Sequence, residues 1–153
     1  MALNHEFLLV NRDEFDYSDY MRLMGRKDAV SVHDDLLFYM KDSLNWIQCY
    51  NPARGLLPHK GLNFYGPTVI RKDGAVALGQ IFLSWSSLFS VAPKRFQLTG
   101  AYEVTEGDSP SDGHYAKINV KRDEVVAGLS SVAAFAKAVE TGPGDLFIMH
   151  LGI

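Results

Sequence analysis

The run Asp73-Gly-Ala-Val-Ala-Leu-Gly-Gln-Ile-Phe-Leu-Ser-Trp-Ser-Ser-Leu-Phe-Ser-Val-Ala-Pro93 decides how the rest of the chain is read. Its apolar residues Leu78, Ile81, Phe82, Trp85, Leu88 and Phe89 recur at i, i+3, i+4, i+7, i+10 and i+11, the period of an α-helix with one face in a core. Asp73 is placed to cap the start of this helix. Ala92-Pro93 ends it, because proline has no N–H with which to continue the ladder. This is the most hydrophobic helix in the chain, and it is expected at the centre of the molecule.

Two further helices lie on either side of it. Ser31-Val-His-Asp34 has the form of a capping box, with Asp in place of the usual Glu or Gln. It opens a stretch, about residues 32–48, that places Leu36, Leu37, Met40, Leu44 and Ile47 on one face. From about Asp123 to Glu140, Val125, Val126, Leu129, Val132, Ala133, Ala136 and Val139 fall on one side, and Gly142-Pro143 terminates the helix.

The remainder reads mainly as strands and turns. Leu3 to Val10 is a short strand, and Phe15 to Lys27 is a loop with one helical turn around Tyr17 to Leu23. Asn51-Pro52 and Gly55 to Gly61 break the chain into its longest loop, and Leu62 to Ile70 is extended, with Gly66-Pro67 assigning it to a sheet edge. Leu98 to Thr105 and Tyr115 to Val120 form an antiparallel hairpin across the acidic connection Glu106 to Gly113. Asp145 to Leu151, centred on Leu-Phe-Ile-Met, is apolar enough to lie inside the sheet. The sum is an α+β fold, a single domain over residues 1–153. About three helices pack on a mixed or antiparallel sheet of four to five strands.

Composition agrees. The chain has 153 residues, of which 47% are hydrophobic and 22% charged, so disordered and fibrous classes are excluded. A chain of this size buries roughly 68–70% of its unfolded surface, enough for one core without metal or disulfide staples. Cys49 is the lone cysteine and cannot form an internal disulfide, which fits a reducing compartment. Phe7 to Val10 is a short apolar run with no Lys or Arg before it, so no export signal is expected, and no apolar stretch approaches the roughly 18 residues of a membrane span. A cytoplasmic location is the expectation.

No catalytic motif stands out. His5, His33, His59, His114 and His150 are scattered, and HxH, HExxH and CxxC patterns are absent, so neither a metal nor a cofactor is expected. His33-Asp34-Asp35 sits at a helix start, where carboxylates serve as caps. Cys49 has no neighbour in sequence that would activate it, and Ser84, Ser86 and Ser87 lie on a helix rather than in a G-x-S-x-G elbow. Arg54, His59, Lys60, Arg71 and Lys72 cluster in a Gly-rich stretch, which keeps open a small enzyme or ligand-binding domain acting on an anionic substrate. The phosphate-loop patterns GxxxxGK[ST] and GxGxxG are missing. Direct nucleic-acid binding is disfavoured by a pI of about 5.9.

Charge is distributed in blocks. The formal net charge is −4 over residues 1–50, +5 over 51–100 and −4 over 101–153. In the first block Asp13, Glu14, Asp16 and Asp19 interleave with Phe15, Tyr17 and Tyr20, a mixture suited to contact with a basic protein. Glu103, Glu106, Asp108 and Asp112 form a second acidic group at the hairpin. The alternative for each is a solvated surface whose rings turn inward.

From about residue 61 onward the chain resembles the bacterial immunity proteins of polymorphic-toxin and contact-dependent growth-inhibition systems. The resemblance rests on Gly61-Leu-Asn-Phe-Tyr-Gly-Pro-Thr-Val-Ile70, on Trp85-x-x-Leu88-Phe89 with Ala92-Pro93, on Leu98-Thr-Gly-Ala-Tyr102 and on His150-Leu-Gly-Ile153. Trp85, Leu88 and Phe89 read as core within these motifs, and Gly66-Pro67 and Gly100 as turns. The resemblance implies a cytosolic, non-enzymatic protein that neutralises a cognate toxin domain, often a nuclease, by occluding its active site. It brings no catalytic residues. Charge then selects Asp13, Glu14, Asp16, Tyr17, Asp19, Tyr20, Glu106, Asp108 and Asp112 as the toxin-binding candidates, with carboxylates standing in for phosphates.

Overall fold

The fold comes from a computed structural model that describes residues 3–153. In chain order the elements are β1 (Asn4–Asn11), β2 (Val30–His33), α1 (Asp34–Leu44), β3 (Gln48–Asn51), β4 (Leu57–Lys60), β5 (Pro67–Ile70), α2 (Lys72–Ser90), β6 (Arg95–Glu103), β7 (His114–Lys121), α3 (Arg122–Thr141) and β8 (Leu146–Leu151). Short 3₁₀ turns occupy Tyr17–Leu23, Pro52–Arg54 and Pro110–Asp112. The α+β expectation holds.

Six strands form one sheet in the order β2-β1-β8-β5-β3-β4, with every neighbouring pair antiparallel. β6 and β7 form a separate two-stranded ribbon. The sheet is thus wider than the four to five strands expected from sequence. β8 lies inside it between β1 and β5, as its apolar run requires, and its side chains alternate between two buried faces. Phe147, Met149 and Leu151 join Leu8, Val10 and Val69 on one face, while Ile148 joins Phe7 and Ile70 on the other.

The three helices cover the face that carries Phe7 and Ile148. α1 contributes Leu36, Leu37, Met40 and Leu44, α2 contributes Leu78, Phe82 and Phe89, and α3 contributes Leu129, Val132, Ala136 and Val139. Burying a side chain such as Phe82 stabilises the fold by roughly 1.5–3 kcal/mol. α2 and α3 approach closely because small residues meet at their contact. A Cβ on Gly79 would lie 3.3 Å from that of Ala136, and Ser86 Oγ reaches Ser130 Oγ at 2.8 Å. The opposite face of the sheet is covered by residues of the 12–29 segment, chiefly Tyr17 and Leu23, with Phe15 and Tyr20 half-buried beside them.

Several local expectations are corrected. Ser31 belongs to β2, and α1 is capped by His33, whose Nδ1 accepts a hydrogen bond from the Asp35 amide at 3.2 Å. The expected 32–48 helix is therefore the shorter α1, flanked by two strands. Arg71 rather than Asp73 occupies the cap position of α2 and makes no side-chain capping bond. The long loop after Pro52 contains a 3₁₀ turn and β4, and β5 is an internal strand. Proline is tolerated in β5 because Pro67 is its first residue, where a missing N–H costs least. Gly100 sits in β6 at a register irregularity between Thr99 and Tyr102, packed against Ala116, not in a turn. Leu88 is 57% exposed on the outer side of α2 and does not belong to the core.

Candidate functional site

The first acidic segment is built around its aromatic rings, and these turn inward. Tyr17 is 8% exposed, with its ring centroid 4.7 Å from that of Phe147 on β8. The apolar face of the sheet takes the Tyr17 ring, leaving little of its surface exposed. Tyr20 is half-buried against the same cluster. Asp13, Glu14 and Asp16 remain exposed, and Asp19 is partly so. Asp16 caps the 3₁₀ turn by accepting from the amide and hydroxyl of Ser18 at 3.1 and 3.2 Å, bonds that hold its carboxyl below the usual range.

Arginines accompany this segment. Arg12 lies over the Tyr17 ring at 5.1 Å, and Arg22 and Arg26 lie over Phe15 at 5.7 and 5.5 Å. Arg22 also approaches Asp19 at 3.8 Å. Arg12 acts on Asp16 and Arg22 on Asp19, while Arg26 is held by the Asp28 carboxylate, so this surface mixes both signs of charge and its negative field is weakened.

The second acidic group differs on each of these points. Residues 101–112 are all exposed, so Glu103, Glu106, Asp108 and Asp112 face solvent. Among the described residues the group within ion-pair distance of these acids is His114, 3.9 Å from Glu103 and charged only when protonated. Tyr102 and Tyr115 face each other across the ribbon with centroids 5.1 Å apart and an edge-to-face angle of 65°. The Tyr102 hydroxyl donates to the Pro110 carbonyl at 2.9 Å, tying the acidic connection back to the strand. The base of the ribbon is fixed by Phe96, whose ring stands 5.6 Å from Phe89 on α2. The ribbon is thus anchored on the helical side of the sheet and the 12–29 segment on the other. The fold does not merge the two acidic groups into one surface.

Sequence reading missed a buried polar chain. Although its histidines are far apart in sequence, His5 on β1 and His150 on β8 share the helical face of the sheet, with Nδ1 and Nε2 2.8 Å apart. His5 Nε2 reaches the Asp34 carboxylate at 2.8 Å, and His150 Nδ1 reaches Thr68 Oγ1 at 3.3 Å. The Thr68 oxygen also accepts from the Asn63 amide at 2.9 Å. With Asp34 ionised and both rings neutral, one proton arrangement satisfies every contact: Thr68 donates to His150, His150 to His5, and His5 to Asp34. Burial first, and then neighbouring His5, holds the His150 pKa well below 6.5. The order acid, imidazole, imidazole, hydroxyl resembles a catalytic relay. Thr68, however, is fully buried and offers no reacting atom to a substrate, so the chain acts as a polar clamp across β1, β8, β5 and the start of α1.

The remaining sequence candidates are also placed. Cys49 is fully buried, and burial raises its thiol to about 12. Arg71 stacks on Tyr50 at 3.6 Å, and His59 is paired with Cys49 across β3 and β4. Arg54, His59, Lys60, Arg71 and Lys72 line neither of the two cavities described, and a strand pair stands where an anion-binding loop was conceivable. Ser86 donates to the Val126 carbonyl within the α2–α3 contact. Among the described residues no group of three or more His, Cys, Asp or Glu is placed to hold a metal ion, and no helix is long and apolar enough to cross a membrane. An apolar groove of about 410 Å³ lies outside α1 and α2 between Trp46, Ile81, Trp85 and Leu88. No family model, curated protein or solved structure matches this chain.

Proposed function

We propose that this protein is a cytosolic immunity protein that binds a basic toxin domain stoichiometrically, using the β6–β7 ribbon as its principal contact. The observation that carries the reading is the exposed acidic connection of the ribbon, held by the Tyr102 to Pro110 hydrogen bond and flanked by the Tyr102–Tyr115 pair. Exposed carboxylates with no arginine within ion-pair distance among the described residues attract a nuclease-type active site built to hold phosphates. The tyrosines add flat contact area at little entropic cost. The segment Asp13–Tyr20 is assigned a secondary role, because the Tyr17 ring is buried and Arg12 and Arg22 lie beside Asp16 and Asp19.

The test is co-expression with the C-terminal domain of a large secreted protein encoded next to this chain. A stable complex and restored growth are expected. Reversing Glu106, Asp108 and Asp112 to Lys is expected to slow association strongly at low salt and less at high salt. Absence of both complex and protection would overturn the reading.

A further inference from the structure

The six-stranded sheet ends at β2, which pairs with β1 alone, and β7 pairs with β6 alone. Each strand therefore carries one edge whose backbone N–H and C=O groups have no strand partner. Both edges border the same cavity of about 530 Å³, which is lined by Ser31 to His33 from β2 and Lys117 to Lys121 from β7. No residue of β6 lines it, and of β1 only the terminal Asn4 does, so the cavity lies on the free side of both strands. Its floor is α3, through Val125, Gly128 and Leu129. Val32 and Val120 pack into the same helical layer. α3 therefore runs beneath a cavity that has a free strand edge from each sheet on its border.

We infer that this gap receives one extended peptide segment of a partner protein, added as a strand between β2 and β7. Both free edges border one cavity, and an extended main chain, which presents the same alternation of donors and acceptors along both of its edges, is the ligand that can engage each of them. Alternate side chains of the incoming strand meet Val125, Gly128 and Leu129, which favours small apolar residues there. The others face solvent beside Lys117. On the β2 side the cavity is lined by Asp35, 3.5 Å from His33, and on the β7 side Lys121 is paired with Glu124 at 2.9 Å, whereas Lys117 has no carboxylate within ion-pair distance among the described residues and sets the charge preference of the β7 side. The matching segment therefore alternates small apolar with acidic residues. This inference does not depend on the immunity reading, since strand addition makes no use of what the partner does.

The probe is a blocked, fluorescein-labelled octapeptide in which Val alternates with Glu and Thr. Saturable binding is expected, with amide exchange slowed at residues in 31–33 and 117–121. Gly128→Phe fills the slot from its floor. A Cβ at that position meets nothing nearer than the Ser31 carbonyl oxygen at 3.7 Å, so the backbone accommodates it. Roughly tenfold or greater weakening is expected for Gly128→Phe, a loss well outside measurement error. Should that variant fold poorly, Lys117→Glu serves instead: it should weaken the Glu peptide and restore binding to a Lys counterpart. No saturable binding up to about 1 mM peptide, a ceiling that already corresponds to only about 4 kcal/mol, would overturn the inference. Protection mapped elsewhere would do the same. A concentration-dependent dimer abolished by Gly128→Phe would assign the slot to a second copy of the chain and also overturn it.

Discussion

His5 Nδ1 lies 2.8 Å from His150 Nε2, although 145 residues separate the two rings along the chain. The contact follows from strand register: Phe7 stands opposite His150 on β1 and Thr68 stands opposite it on β5, so His5, one step further along the same face, meets the ring diagonally. Because Asp34 at the start of α1 closes the chain of hydrogen bonds, the network fixes helix α1 to three strands at once. Its partners are polar and its surroundings apolar, so each member is sensitive to losing the next.

A pH dependence of stability follows. The folded state holds His150 well below its ordinary 6.5, whereas the unfolded chain protonates it near that value. Below about pH 6.5 the unfolded state binds the extra proton, so the His150 contribution is present in full above that pH. It is lost as pH falls toward the depressed folded value, with a slope of at most about 1.4 kcal/mol per pH unit. Urea denaturation at several pH values between 7.5 and 5 checks this. The wild-type protein should lose stability over that window more steeply than His150→Asn. Parallel profiles for the two would rule the mechanism out.

Two glycines should respond to alanine in opposite directions. Gly74, in the first turn of α2, is buried so closely on β3 that a Cβ would overlap the Gln48 carbonyl oxygen and press on Ile70 Cγ2 at 3.0 Å. Gly74→Ala is expected to destabilise by about 1–3 kcal/mol through overpacking. Gly128 lies within α3, where a Cβ would make only an ordinary contact with the Ser31 carbonyl oxygen at 3.7 Å, so Gly128→Ala is expected to stabilise by roughly 0.5–1 kcal/mol through helix entropy. Thermal denaturation of both variants decides the matter, and equal effects would contradict the placement of α2 against β3.

The tyrosines separate in the same way. Tyr17 packs on Phe147 in the core, so Tyr17→Ala should cost about 3–5 kcal/mol. Tyr115 is 60% exposed, and Tyr115→Ala should change stability by less than about 1 kcal/mol while weakening partner binding. Denaturation midpoints measure the first effect and association kinetics the second. A neutral Tyr17→Ala would return that ring to the surface.

These contrasts show where sequence reading succeeds. α2 and α3 are legible because each holds a helical apolar period over 19 and 20 residues, and β8 because six residues of nearly unbroken apolar character fit only an interior strand. β2, β3 and β4 escape because four residues carry too little alternation to be distinguished from caps and loops. Ser31-x-x-Asp34 satisfies a capping pattern locally, but pairing of Ser31 with Glu6 on β1 takes it into a strand. The acids at 13–19 are plain in the sequence. Their partial neutralisation is not, because Arg22 and Arg26 reach Phe15 only after the 3₁₀ turn has folded over the sheet. The histidine pair is the extreme case, since it depends on the register of the first strand against the last.

Cys49 tests the same architecture chemically. Its side chain lies in the core beneath α1 and α2, and burial raises the thiol to about 12, so almost no thiolate exists at neutral pH. An aromatic disulfide reagent should therefore leave the native protein unmodified and react as the chain unfolds, at a rate that follows the population of open molecules in urea. Cys49→Ala should remove the reactivity and cost about 1–2 kcal/mol for the lost packing. Cys49→Ser should cost more than alanine, because its hydroxyl enters an apolar site opposite His59, whose buried Nε2 has no hydrogen-bond partner. If serine instead proves better tolerated than alanine, its hydroxyl has found that imidazole nitrogen, and the β3–β4 pair rather than the helical core sets the environment of the residue. Fast labelling of the native protein would be the more serious result, because it would place β3 at an accessible edge and remove the support on which α2 rests.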